Sequence, residues 1–267
     1  GGAGNDTINV AGNLTALDTI DGGEGSDTLI TTSAIASETI LGGVSNFETL
    51  VVNGAVTVTL GANIGVTNFD LSPDTDQVLQ LNAGFTDTAN VYLTTAANDD
   101  ATNSDSVVNG GATAANTTLN VYGSANAFDS GTTLTGGTGT DSLIISQMAS
   151  SDGTATIDSD ITGFESITIT DTAGNNTGGV TVNASSYATA VTVDATALDA
   201  AEFDTLNLAS ASKSVTLLGG EGISTLTGGA KGDIITSGSG ADIINANGGL
   251  DVISAGAGND AITVDSE

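Results

Sequence analysis

A set of aspartates occupies one fixed place in a short glycine-rich pattern. Gly1-Gly2-Ala3-Gly4-Asn5-Asp6-Thr7-Ile8-Asn9, Gly22 to Ile30 (GGEGSDTLI) and Gly136 to Ile144 (GGTGTDSLI) all read G-G-x-G-x-D-x-U-x, with U a large aliphatic residue. Their sixth places hold Asp6, Asp27 and Asp141. Nine-residue units then run without insertion from Gly219, Gly228, Ser237, Ala246 and Ala255. Their sixth places are Ser224, Asp233, Asp242, Asp251 and Asp260; their eighth are Leu226, Ile235, Ile244, Ile253 and Ile262. Weaker units are Asn13 to Asp21, with Asp18 and Ile20 at those places, and Ala127 to Thr135, with Thr132 and Leu134.

Carboxylates in glycine turns suit one kind of chemistry. Ca²⁺ takes six to eight oxygen ligands, drawn from carboxylates and carbonyls. Glycine at the second and fourth places lets the backbone turn its carbonyls inward. Those places hold Gly2, Gly4, Gly23, Gly25, Gly137, Gly139, Gly220, Gly238, Gly240, Gly256 and Gly258. Together with Asp6, Asp18, Asp21, Asp27, Asp141, Asp233, Asp242, Asp251 and Asp260 they form the expected metal set. Plain turn formation is the competing explanation, since Asp and Gly are ordinary turn residues. Ser224 replaces the acid in its unit, and Lys231 puts a cation at the fourth place of the next. Both weaken the expectation of an ion there.

Something must hold these turns in line. Each x-U-x triplet reads as a short strand with U inward and its neighbours outward. Two nine-residue units complete one coil, so turns on one side recur every 18 residues. Asp233 is then expected over Asp251, and Asp242 over Asp260. Between the units the chain alternates in the same way, as in Ala55 to Leu60, Val180 to Val182 and Val191 to Val193. Helical signal is low, with short turns expected near Ala195 to Phe203. A second motif recurs: Phe47-Glu48-Thr49-Leu50, Phe164-Glu165-Ser166-Ile167 and Phe203-Asp204-Thr205-Leu206. Its Phe is expected to plug a coil corner, with the acid facing solvent or a cation.

Composition narrows the options. Thirty-two acidic residues face two basic ones, for a net charge of −30, so a nucleic-acid backbone is no partner. Without His or Cys there is no Ser-His-Asp or Cys-His catalysis, no His-based zinc site, no thiolate metal site, disulfide or iron–sulfur cluster. No apolar run is long enough to span a bilayer, so no membrane insertion is expected. The charge does not mean disorder, because 39% of residues are hydrophobic. With only six Phe, three Tyr and no Trp, the core is expected to be narrow and aliphatic.

The nonapeptides resemble the RTX repeats of calcium-binding proteins exported by bacterial type I secretion. The resemblance covers residues 1–30, 136–144 and 219–263. It implies an all-β fold, a right-handed parallel β-roll or β-helix solenoid whose GGxGxD turns bind multiple Ca²⁺ ions. The expected organisation is RTX repeats at 1–30, a solenoid segment with degenerate repeats at 31–135, one repeat at 136–144, a second solenoid segment at 145–218 and an RTX array at 219–267.

With its Phe-acid segments and Thr-rich strands, the whole chain is similar to the surface-layer (S-layer) proteins of Gram-negative bacteria. That likeness implies a structural protein, not an enzyme, which folds on calcium after export. It would assemble with copies of itself into a calcium-dependent lattice on the cell surface. The chain is expected to be a fragment, anchored by regions outside it. Loop acids such as Asp99, Asp100, Asp158, Asp160 and Asp171 are candidates for interfacial ions. An RTX adhesin or stalk module is the alternative. A glycosidase or lyase site and ice binding by Thr arrays are weaker ones, since aromatic platforms and basic residues are sparse.

Overall fold

The computed structural model of the chain describes residues 1–12, 14–61, 65–71, 77–93, 106–111, 117–128, 132–146, 153–171, 178–184 and 187–265. Asp99 and Asp100 lie outside the described residues, as do Asn13 and residues 129–131 of the weaker units. The described residues are almost entirely short strands, joined by turns, with two 3₁₀ turns at Glu38–Leu41 and Ala125–Ala127. The segment from Ala195 to Glu202 makes hydrogen-bonded turns, Leu198 N–H to Ala195 O and Glu202 N–H to Asp199 O, and no helix.

The chain divides into two compact units, residues 1–122 with 131–141, and residues 123–130 with 142–267. Each is a parallel β-solenoid. In the first, one ladder joins Thr7–Asn9, Thr28–Thr31, Thr49–Val52, Asn68–Asp70, Ala89–Tyr92 and Leu119–Ser124. A second joins Thr57–Leu60, Val78–Leu81, Val107–Asn109 and Thr133–Thr135. In the second unit the ladders are Ser142–Ser146, Ser166–Thr170, Val191–Asp194, Val215–Leu218, Ile234–Thr236 and Val252–Ser254, and Gly153–Thr156, Gly179–Asn183, Phe203–Asn207, Ile223–Thr227, Ile243–Asn245 and Ala261–Thr263.

Period-two alternation explains the core. In-register inward residues form columns: Leu29, Leu50, Phe69, Val91 and Val121 on one ladder, and Val58, Leu79, Val108 and Leu134 on the other. In the second unit Leu143, Ile167, Val193, Leu217 and Ile235 form one column, and Ala155, Val182, Leu206, Leu226 and Ile244 another. Each such Leu, Ile or Val contributes about 1.5–3 kcal/mol by burial. The seventh places point outward, leaving Ile234 50%, Ile243 53% and Val252 65% exposed.

The core is less purely aliphatic than the composition implies. Phe47, Phe69, Phe85, Phe128, Phe164 and Tyr187 are fully buried. Tyr187 Oη accepts the amide hydrogen of Phe164 and donates to its carbonyl, both at 2.8 Å, which pins one Phe-acid corner. Phe203 departs from the expected plug. It sits on a strand beside Gly179 and Ile223, covers the space where Gly179 lacks a Cβ, and is 38% exposed.

Candidate metal centre

The register places sixth-position residues of successive coils over one another, as the 18-residue spacing predicts. Ile234 pairs with Val252, and Ile243 with Ala261. The amide of Asp233 donates to Oδ1 of Asp251 at 2.9 Å, and that of Asp242 to Oδ1 of Asp260 at 3.1 Å. Upstream, Asp233 Oδ1 accepts from Val215 N–H and Asp242 Oδ1 from Ser224 N–H, each at 2.9 Å. The first unit repeats the device over 21 residues, with Asp6 N–H to Asp27 Oδ1 at 2.7 Å. Leu119 N–H donates to Asp141 Oδ1 at the same distance.

The second carboxylate oxygen separates two kinds of turn. At Asp6, Asp141 and Asp233, Oδ2 accepts the second-place amide of its own turn, from Gly2, Gly137 and Gly229, at 2.8, 2.6 and 2.7 Å. At Asp27 and Asp242, Oδ2 is buried with no hydrogen-bond partner. For Asp27 the cause is visible: the Gly23 amide is turned to Asp21 Oδ1 instead, at 3.1 Å.

The glycines keep the carbonyls close. A Cβ on Gly238 or Gly256 would overlap the carbonyl oxygen of Gly220 or Gly238 one coil back. One on Gly240 or Gly258 would overlap that of Gly222 or Gly240. In the first unit Gly23 and Gly25 stand in the same relation to the carbonyls of Gly2 and Gly4, and Gly139 to that of Thr117. The fourth place also demands a left-handed backbone at Gly4 and Gly25 (φ 112° and 144°). Asn46, in the aligned turn, meets it with φ 57°, as Asn tolerates. Lys231 is exposed, and its own carbonyl still packs against Gly249, so its side chain leaves the carbonyl row intact.

Burial acts on these carboxyls. Desolvation raises Asp141 and Asp233 above the usual carboxylate range, against hydrogen bonds from Leu119 and Gly137 in the first case and Val215 and Gly229 in the second. Asp204 is pushed up to about 6, first by desolvation and lastly by the charge of Asp242, against hydrogen bonds from Ser224 and Gly220.

Two expected ligands are not brought into the stacks. Asp18 Oδ2 accepts from the amide and hydroxyl of Thr15 at 2.7 and 3.0 Å, a local turn. Asp21 Oδ1 is bonded by Gly23 N–H and by Asn46 Nδ2 at 2.8 Å.

The Phe-acid segments, in contrast, belong to that column. Glu48 Oε2 accepts the amide hydrogen of Asp27 at 2.7 Å. Asp204 pairs in register with Ser224, whose hydroxyl donates to Asp204 Oδ1 at 2.7 Å. Read from Gly43, Asp160 and Asp199, the three segments are GVSNFETLV, DITGFESIT and DAAEFDTLN, each with an acid sixth and an aliphatic residue eighth. They read as degenerate nonapeptides, with Gly43 at the first place of one and Gly163 at the fourth of another. The acid-x-aliphatic triplet they share with the strict units is the signal for this.

The donor set fits a hard cation. Buried carboxylate oxygens without partners face turns whose carbonyls cannot be spaced by side chains, and a cation supplies what both lack. Among the described residues no three acidic side chains converge on one point, so backbone carbonyls must complete any coordination shell. A scan against protein families matches the RTX calcium-binding nonapeptide repeat at residues 17–32, 218–252 and 227–262. The chain carries RTX calcium-binding repeats. Ca²⁺ binding follows from them. When bound, the ion supplies positive charge that gathers carboxylates and carbonyls of adjacent RTX turns. The RTX matches cover the array and the Asp27 turn; they do not reach Asp204 or Asp141. No curated protein and no solved structure matches the chain.

Proposed function

We propose that the chain is a secreted structural protein of the surface-layer type. It folds when its RTX turns bind calcium after export, and copies then assemble through calcium into a lattice on the bacterial surface. The observation that carries the folding part is the pair Asp27 and Asp242, buried carboxylates whose Oδ2 atoms lack partners. Without the ion their charge opposes compaction; with it, binding energy becomes folding energy. Extracellular modules of this kind bind calcium at roughly 10⁻⁴–10⁻³ M. Folding thus awaits an environment rich in the ion.

The assembly part draws support from charge. At −30 with two basic residues, copies repel unless cations join them. The role is structural. Among the described residues no helix is long and apolar enough to cross a membrane. Electron microscopy of calcium-loaded protein tests the reading. Ordered sheets that disperse in EGTA are expected; isolated rods in calcium would overturn the lattice and favour an adhesin or stalk module.

A further inference from the structure

Ser224 breaks the acidic column at the head of the array, and the structure puts another acid beneath it. Asp204 lies one coil back, is 1% exposed, and accepts from Ser224 Oγ at 2.7 Å and Gly220 N–H at 3.1 Å, both at Oδ1. Its Oδ2 is buried with no hydrogen-bond partner. Asp242, one coil beyond Ser224, is also 1% exposed and has an Oδ2 in the same condition. Two buried carboxylates thus flank a serine with unmet oxygens, and neither Lys213 nor Lys231 is buried beside them.

Carbonyls converge on the same turn. A Cβ on Gly222 would overlap the carbonyl oxygen of Glu202 and stand 3.1 Å from that of Asp199. These carbonyls can approach the turn so closely only because residue 222 is glycine. Glu202 stands in this row where the strict units have glycine, followed by Gly222, Gly240 and Gly258. The Asp204 carboxylate and the carbonyls of Asp199 and Glu202 thus all lie against the Gly219–Ser224 turn.

We propose that Asp204, with the backbone carbonyls of Asp199 and Glu202, forms a divalent-cation site against the Gly219–Ser224 turn, outside the residues matched by the repeat family. The site extends the array by one coil and makes Ser224 an internal position of the ion column rather than its end. An all-oxygen donor set suits calcium, the cation of the neighbouring repeats. The inference rests on the calcium reading of the array.

Crystals of the 267-residue chain soaked in terbium test both separately. An anomalous peak about 2.3–2.6 Å from the Asp204 carboxylate, beside peaks in the array, is expected. Peaks between the Asp242 and Asp260 turns with none at Asp204 would overturn this site and leave the calcium reading intact. No peak anywhere would overturn both. In solution, calorimetric titration of Asp204→Asn should lose one calcium relative to the parent chain. An unchanged count from a variant with the parent's circular dichroism would contradict the site.

Discussion

Oε2 of Glu48 accepts the amide hydrogen of Asp27 at 2.7 Å, in the place where the array sets the next aspartate. A residue from a Phe-acid segment thus does the work of a repeat carboxylate. The coil it belongs to is a worn copy of the nonapeptide rather than a separate motif.

Glu48→Ala should therefore act at the Asp27 turn. It strands a backbone N–H and removes a charge-assisted hydrogen bond, a loss of about 1.5–3 kcal/mol. Glu48→Gln keeps an acceptor and should lose much less in saturating calcium, yet weaken calcium binding. Thermal unfolding in saturating calcium and calorimetric titration separate the two effects. Equal losses for both variants in saturating calcium would contradict the assignment.

Removing the charge of a buried carboxylate whose second oxygen lacks a partner should have opposite effects in the two states. Asp242→Asn keeps an acceptor for the Ser224 amide and discharges Oδ2. It should stabilise the calcium-free chain and reduce the stability gained on adding calcium. Asp242→Ala with Asp260→Ala should lower calcium stoichiometry. A count unchanged from the parent would show the stack to be misplaced.

The pH dependence has a definite sign. Asp204 carries a carboxyl raised from 3.8 to about 6, and Asp141 and Asp233 shift the same way. A raised carboxyl binds its proton more tightly folded than unfolded, so its contribution is present below the unfolded value and fades as pH rises through the folded one. For Asp204 that is about 3 kcal/mol, lost between about pH 4 and 6. Without calcium the folded fraction should be larger at pH 4 than at pH 7. In calcium the order should reverse, because the ion needs the ionised carboxylates. Circular dichroism at both values, in calcium-depleted and calcium-loaded buffer, checks all four terms.

Glycines should divide by position. Gly25→Ala meets a φ of 144° and overlaps the Gly4 carbonyl, so it should cost more than about 1 kcal/mol. A Cβ on Gly2 meets nothing within 4 Å, and Gly2→Ala should stay within about 0.5 kcal/mol of the parent. Denaturant unfolding of the pair in calcium decides the point. Equal losses would mean the carbonyl rows are not closely packed.

Much of this was legible in residue spacing. The nine-residue period fixes which aspartates stack, because two units make one coil, and Asp233–Asp251 and Asp242–Asp260 lie where it puts them. The inward eighth place follows from strand alternation. Coils of unequal length were harder. Asp141 reaches Leu119 across 22 residues and Asp204 reaches Ser224 across 20, so no fixed period connects them. Asp18 satisfied the spacing yet bonds locally to Thr15, and Asp21, three residues on, is held by Gly23 and by Asn46 of the next coil, a competition that a linear pattern does not contain. Phe203 shares its motif with Phe47 and Phe164, but its strand begins two residues earlier relative to the acid, with the ring outward over Gly179.

The central claim is that calcium at the stacked turns folds the chain. Far-UV circular dichroism of the protein in EGTA, followed by calcium titration into the millimolar range, tests it most directly. Little β-signal in EGTA and its cooperative appearance on adding calcium are the predicted result. Full β-signal in EGTA, unchanged by calcium, would contradict it.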